Sequence, residues 1–325
     1  MPYATAREIE VSEIPVVDIA GLVAGDPAAS LAAGRAMRAA SERIGFFYVA
    51  SHGVPGPVID RAFAAARAFF ALPEEVKART KVDANHRGWI GQGGAKMYAG
   101  AKVDLKESFV WGLDLPESDP DVAAGVPLMG PNRWPDSMPE LREAAYGYYQ
   151  HVLALGHRVL RGLALSLDRD AGFFESRFAK PLARGSAIWY PRQPPDLGRD
   201  QFGVAPHTDY GGLTFLCQDD TGGLQVLNAD GAWVTAHPIP GTFVVNIGDL
   251  MHRWTNDRFR SNAHRVVNTS GRARQSMAVF FDPAFRTVVD PRDLLDDPAE
   301  ARHAPITCGE WILGKFNKAF SYRKA

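Results

Sequence analysis

The sequence predicts a mainly β protein with helices: an antiparallel barrel or jelly-roll core, a helical N-terminal region before it and a C-terminal helix after it. Three observations carry that expectation. From residue 180 onward the short apolar runs SAIWY, GGLTFLC, GGLQVLN, AWVTA, TFVVNIG, AHRVVN and SMAVFFD recur about every ten residues, with turn residues between them. Before residue 180 the apolar positions repeat at helical spacing instead. The tail from Thr307, TCGEWILGKFNKAF, returns to helical character.

The elements follow in order. IPVVDIAGL, residues 14 to 22, is a β-branched run and reads as an early strand. Asp26-Pro27 supplies an N-cap and a first-turn proline for a helix through about Arg43, and Gly45 breaks it before the strand FFYVA, Phe46 to Ala50. Val58, Ile59, Phe63, Ala66, Phe69 and Phe70 mark the apolar face of a helix from Pro57 to Leu72, and Pro73 with two acids restarts helix in LPEEVKA. Residues 85 to 136 lose periodicity and read as ordered irregular chain or weak strands, a stretch that in a compact protein often borders a site. Ser137, with Pro139 and Glu140 behind it, is expected to open the longest helix, apolar along Leu141, Tyr148, Val152, Leu155, Val159, Leu163 and Leu167 to about Asp168.

Composition bounds the function classes. The 325 residues, 46 % hydrophobic and 22 % charged, are enough to bury a sizeable core. Lys plus Arg total 36 against 37 Asp plus Glu, and neither sign gathers into a run that could track phosphates, so no nucleic acid partner is expected. The N-terminal residues form no secretion signal and no segment gives about 18 uninterrupted apolar residues, so no membrane span is expected. Cys217 and Cys308 are too few for a disulfide framework, which suits a cytoplasmic location. The chain divides into an N-terminal mixed region (1–136), scaffold helices (137–179), a β core (180–285) and a C-terminal helical lid (286–325), all within one unit, a monomer or weak homo-oligomer.

His207-Thr208-Asp209 precedes the run GGLTFLC, and an extended backbone puts residues 207 and 209 on one face, roughly 7 Å apart by strand rise. A third ligand from an adjacent strand would complete two imidazoles and one carboxylate on one face of an octahedron, the ligand set of non-haem Fe(II). An isolated His-x-Asp is also common in solvated loops, so the rest of the chain decides. His237, His252 and His264 are the candidates for the third ligand; His252 lies in an expected turn after NIGD and His264 begins the strand-like HRVVN, which favours His264 without excluding the others. Ten residues further on, Arg274 and Ser276 share a strand face and could hold a carboxylate through a charge-assisted pair and a hydroxyl. Asn246, polar in an apolar strand, must be hydrogen-bonded or face the site. Asp249 and His52 read as structural loop residues, and Trp233, Phe243 and Trp254 as core.

Taken together these motifs resemble the isopenicillin N synthase-like branch of the Fe(II)/2-oxoglutarate-dependent dioxygenases. His207-Thr208-Asp209, His264 fifty-five residues after Asp209, and Arg274-x-Ser276 match that family's motifs in order and spacing, and GGLQVLNADGAWV, FVVNIGDLMHRW, IPVVDIAGL and GFFYVASHGVP extend the likeness over nearly the whole chain. The resemblance implies a double-stranded β-helix core, with Fe(II) on His207, Asp209 and His264. It implies 2-oxoglutarate as co-substrate with its distal carboxylate on Arg274 and Ser276 and a contact from Tyr190, O2 as oxidant, and ascorbate as a candidate stimulant. Many relatives carry Asn two positions before that Tyr; here the position is Ile188.

The implied activity is hydroxylation, or a related C–H oxidation, of a small organic molecule coupled to 2-oxoglutarate decarboxylation. The alternatives are an Fe(II)/O2 oxidase that does not use 2-oxoglutarate and a barrel that binds a ligand without turning it over. In the resembled branch the irregular N-terminal stretch and the C-terminal helix line the mouth of the site. Tyr210, Arg87, Trp89, Lys106, Glu107, Trp311 and Phe316 are therefore the candidates for selecting substrate.

Overall fold

Alternation of side chains along strands and the 3.6-residue helical repeat give this chain two kinds of apolar surface, and the fold packs one against the other. The computed structural model describes residues 13–94, 104–193 and 201–319. In chain order the strands are β1 (Val16–Asp18), β2 (Phe46–Ala50), β3 (Gly88–Ile90), β4 (Glu107–Gly112), β5 (Arg184–Tyr190), β6 (Val204–His207), β7 (Leu213–Gln218), β8 (Leu224–Leu227), β9 (Trp233–Thr235), β10 (Phe243–Ile247), β11 (His264–Val266), β12 (Arg274–Phe281), β13 (Val288–Val289) and β14 (Ile306–Thr307). The helices are α1 (Ala20–Ala24), α2 (Pro27–Arg43), α3 (Gly56–Phe70), α4 (Glu74–Lys77), α5 (Pro120–Ala123), α6 (Pro139–Ser166), α7 (Asp249–Trp254) and α8 (Cys308–Ala319).

An eight-stranded sheet runs β1-β2-β10-β7-β12-β5-β4-β3, and a four-stranded sheet runs β6-β11-β8-β9. Only β1 and β2 pair in parallel within these sheets; the other ladders are antiparallel. Tyr48, Ile188, Val244 and Ala278 of the large sheet share an apolar cluster with Val204, Leu224, Val226 and Val266 of the small one, so the two sheets close on each other as a jelly roll. The opposite face of the large sheet carries Phe47, Phe109, Trp111, Phe215, Val245, Met277, Val279 and Phe281, which join the buried sides of α2, α3 and α6 in the main core. Fully burying one such side chain is worth roughly 1.5–3 kcal/mol.

Local chemistry explains most of the helix ends. Asp26 accepts a hydrogen bond from the Ala29 amide and Pro27 opens α2, as the sequence predicts. Gly34 lets α2 cross α6 closely: a Cβ there would lie 2.2 Å from the Gly162 carbonyl oxygen. Two expectations are corrected. α6 begins at Pro139 with Met138 at its N-cap and no side-chain cap, so Ser137 does not open it. His252 lies in the short helix α7 rather than in a turn, because the carbonyl of Gly248 receives its amide. The stretch expected as irregular chain or weak strands contributes β3 and the wholly buried β4 to the large sheet, which therefore continues across the expected boundary at residue 136. Residues 95–103 of that stretch, 194–200, and the end of the tail, 320–325, lie outside the described residues. Cys217 and Cys308 are free and buried, and among the described residues no helix is long and apolar enough to cross a membrane.

Candidate metal centre and its two cavities

β6 ends on His207, and β11 begins on His264 directly across the ladder from it. The two imidazole centroids are 4.3 Å apart. Asp209 follows two residues after His207, and its Oδ1 lies 3.6 Å from Nε2 of His207 and 3.7 Å from Nε2 of His264. Ligand bonds of about 2.0–2.2 Å to one ion demand donor atoms roughly this close together. Among the described residues this is the group of His, Cys, Asp or Glu that converges on a metal-sized point, all donor atoms falling within 4.8 Å. His252 lies elsewhere, its Nε2 3.1 Å from Asp257. The His237 carbonyl accepts from the Tyr48 hydroxyl.

The surroundings aim all three donors. Nδ1 of His207 lies 2.9 Å from the Ala205 carbonyl oxygen and Nδ1 of His264 lies 3.2 Å from that of Asn262. A carbonyl can only accept, so each Nδ1 carries the proton and each Nε2 keeps its lone pair for a ligand. Oδ2 of Asp209 accepts from the Thr214 hydroxyl at 2.6 Å and the Asn246 amide at 2.7 Å, which leaves Oδ1 turned to the histidines. Burial pushes His264 down to about 4, reinforced by His207, so it is neutral near pH 7. Burial opposes the charge of Asp209, yet His264, His207 and Asn246 outweigh it and hold the carboxyl well below the usual range. Two imidazoles and one carboxylate fit Fe(II), with the opposite face of the octahedron left open.

From this cluster one cavity runs inward between the sheets to Arg274, past Tyr190, Leu216, Leu224, Val266 and Ala278. Arg274 is fully buried. Its Nε donates to the Gly222 carbonyl, its Nη1 to Ser276 Oγ at 3.1 Å and its Nη2 to Gln218 at 3.1 Å. The guanidinium carbon stands 4.6 Å from the Tyr190 ring centroid. Ile188 presents an apolar surface here, so no amide reaches the cavity from that position. Lys106, Thr214 and Asn246 add polar groups to this wall, the last two committed to Asp209.

A second cavity opens outward from the same cluster, lined by Ile90, Val110, Ile188, Phe280 and Phe316 with His86, Lys106, Arg184, Ser186 and Tyr210 among its polar members. Lys106, Tyr210 and Phe316 of the sequence candidates are brought together here. Arg87, Trp89, Glu107 and Trp311 are not, and each has a structural reason. Arg87 donates to the carbonyls of Asn85 and Leu128. Trp89 donates to Glu107 at 2.6 Å, and Glu107 pairs with Lys77 at 2.7 Å, on the helix-facing side of β4. Trp311 donates from its indole to the Tyr210 carbonyl at 2.7 Å and holds that backbone from α8 instead of lining the space. Asp249 neither binds metal nor caps by its side chain: it accepts from Ser261 and Lys315, while its amide donates to the Asp209 carbonyl. Sequence reasoning missed Arg184, Ser186 and His86; counting back in twos from Tyr190 along β5 reaches Arg184, a signal that was there to read.

Residues 14–137 match the family model for the non-haem dioxygenase in morphine synthesis N-terminal region, and residues 185–283 match that of the 2OG-Fe(II) oxygenase superfamily. A 2-oxoglutarate-Fe(II) type oxidoreductase, hxnY of Emericella nidulans, is 34 % identical, the match covering 96 % of this chain and 91 % of that protein. The chain belongs to the 2OG-Fe(II) oxygenase superfamily. This oxygenase is also 33 % identical to homoarginine-6-hydroxylase 2-ODD-C23 of Glycine max, with 87 % and 89 % of the two chains covered. Among solved structures, a full-length Neurospora crassa protein in complex with alpha-KG and thymine superposes with a TM-score of 0.84 at 27 % identity, over 96 % of this chain and 98 % of that one. The oxygenase is therefore an oxidoreductase that uses iron and 2-oxoglutarate to oxidise a small molecule, and its fold is the jelly roll with C-terminal helix that the sequence predicts.

Proposed function

We propose that His207, Asp209 and His264 hold Fe(II), that Arg274 and Ser276 receive the distal carboxylate of 2-oxoglutarate beside Tyr190, and that the outward chamber takes the substrate. The observation that carries this reading is the meeting of two cavities at one His-Asp-His cluster, the inward one ending on a buried arginine. When bound, the iron supplies the oxidative chemistry that couples decarboxylation of 2-oxoglutarate to C–H oxidation. The chain does the positioning. Thr214 and Asn246 fix the carboxylate that faces the metal, and the carbonyls of Ala205 and Asn262 fix the imidazole protons away from it. Arg274 meets a carboxylate as a charge-assisted donor, with the Ser276 hydroxyl adding a neutral one.

The substrate is a small organic molecule bounded by Lys106, Tyr210 and Phe316. α8 closes that side: Trp311 ties the Tyr210 carbonyl, Lys315 pairs with Asp249, and Phe316 packs toward Tyr210 at 6.3 Å between centroids. Such closure excludes bulk water from the reacting centre. Two buried free thiols suit work in the cytoplasm. The test is 2-oxoglutarate turnover by protein loaded with Fe(II) under air. Slow succinate formation without added substrate, abolished in Asp209→Ala, is the expected result; iron-dependent oxygen uptake that neither needs 2-oxoglutarate nor yields succinate would overturn the reading.

A further inference from the structure

The wall of the outward chamber contains a donor that meets no acceptor among the described residues. Arg184 opens β5 in the inward row Arg184, Ser186, Ile188, Tyr190, and it is 4 % exposed. Its Nη2 lies 3.0 Å from Asp282 Oδ2, and its guanidinium carbon stands 4.8 Å from the Phe316 ring centroid and 5.2 Å from that of Phe280. Its Nη1 is buried and has no hydrogen-bond partner among the described residues. A buried guanidinium nitrogen left without an acceptor is costly, and such a group is explained when a ligand completes it.

Charge on the same wall narrows what that ligand is. Arg184 is already compensated by Asp282, and Lys106 lies 3.4 Å from Asp104 Oδ2. Both cations of the chamber thus have a carboxylate, and an anionic substrate would bring an extra charge into a largely apolar space. A neutral carbonyl oxygen satisfies Nη1 without that charge, while Ile90, Val110, Ile188, Phe280 and Phe316 cover an apolar body.

We propose that Arg184 orients the substrate of this oxygenase, and that the substrate is a small, uncharged, mostly apolar molecule whose carbonyl oxygen accepts a hydrogen bond from Arg184 Nη1. This inference rests on the reading of the outward chamber as the substrate site. Two aromatic rings hold the guanidinium plane and Asp282 fixes its other edge, so the donor direction is set before the ligand arrives.

The experiment titrates anaerobic holoenzyme, carrying Fe(II) and 2-oxoglutarate, with δ-valerolactam, cyclohexanecarboxylate and cyclohexane, following saturation-transfer NMR. The lactam should bind more tightly than the carboxylate, and Arg184→Met should weaken the lactam at least about tenfold while leaving cyclohexane unchanged. Because Arg184→Met strands Asp282, the double variant Arg184→Met/Asp282→Asn repeats the measurement without a buried unpaired carboxylate, and the same loss is expected. Equal lactam affinity in wild type and both variants, no lactam binding to wild type, or preference for the carboxylate would each overturn the inference. The two readings fail separately: wild type that forms no succinate from 2-oxoglutarate sinks the functional reading, whereas wild type that forms succinate but binds the lactam independently of Arg184 sinks only this one.

Discussion

The two faces of the large sheet are built from the same strands by the same alternation, yet they share almost no chemistry. On β12 the side chains of Met277, Val279 and Phe281 enter the helical core, while Arg274, Ala278 and Phe280 face the cavities. On β4 the helix side holds Phe109 and Trp111 with the Lys77–Glu107 pair, and the barrel side holds Ser108 and Val110 beside Lys106. Lys77 and Glu107, the charged pair on the helix side, find each other inside the protein. On the barrel side Thr214 and Asn246 brace the metal cluster, while Arg184, on the chamber wall, keeps a buried Nη1 without a partner among the described residues. The barrel face therefore gathers the polar residues that border the cavities.

Substitutions on opposite faces should break different properties. The largest effect is on stability: Glu107→Ala leaves Lys77 buried without its carboxylate and should cost about 3–5 kcal/mol in urea unfolding. The ratio of succinate to oxidised product should stay unchanged, and an uncoupled Glu107→Ala would erase the distinction between the faces. Next, Arg274→Ala should raise the half-saturating 2-oxoglutarate concentration at least about tenfold, from loss of a charge-assisted partner worth roughly 1.5–3 kcal/mol, and Ser276→Ala should raise it less. A succinate titration ranks the two. Of comparable size is Asn246→Ala, which frees one side of Asp209 Oδ2 and should lower iron affinity about 10- to 100-fold, read by competition with a chelator; no change would show that Thr214 alone holds the carboxylate.

How much of this was legible in the sequence depends on how visible each strand was. The runs after residue 180 announce themselves by alternation and turns, so the spacing of His207 and Asp209, the row Arg274 and Ser276, and the suspicion about Asn246 agree with the geometry found. β4 reads at most as a weak strand, because ESFVWG carries bulky apolar residues on both faces and follows a glycine-rich stretch. Without that strand Lys106 and Glu107 look equivalent, although neighbours on a strand face opposite ways. Trp311 and Arg87 are candidates because the resembled branch lines its mouth with the irregular N-terminal stretch and the C-terminal helix; in the fold their donors satisfy backbone carbonyls, which no local pattern reveals. The cap expected at Ser137 failed because Pro139 sets the first helical turn two residues later.

One metal ion between His207, Asp209 and His264 is measurable as iron per chain after anaerobic loading and desalting. Wild type and His252→Ala should each retain about one Fe(II) per chain, while His207→Ala, Asp209→Ala and His264→Ala should each lose it, since each removes one of three ligands. Retention of full iron by His264→Ala together with loss by His252→Ala would contradict the account.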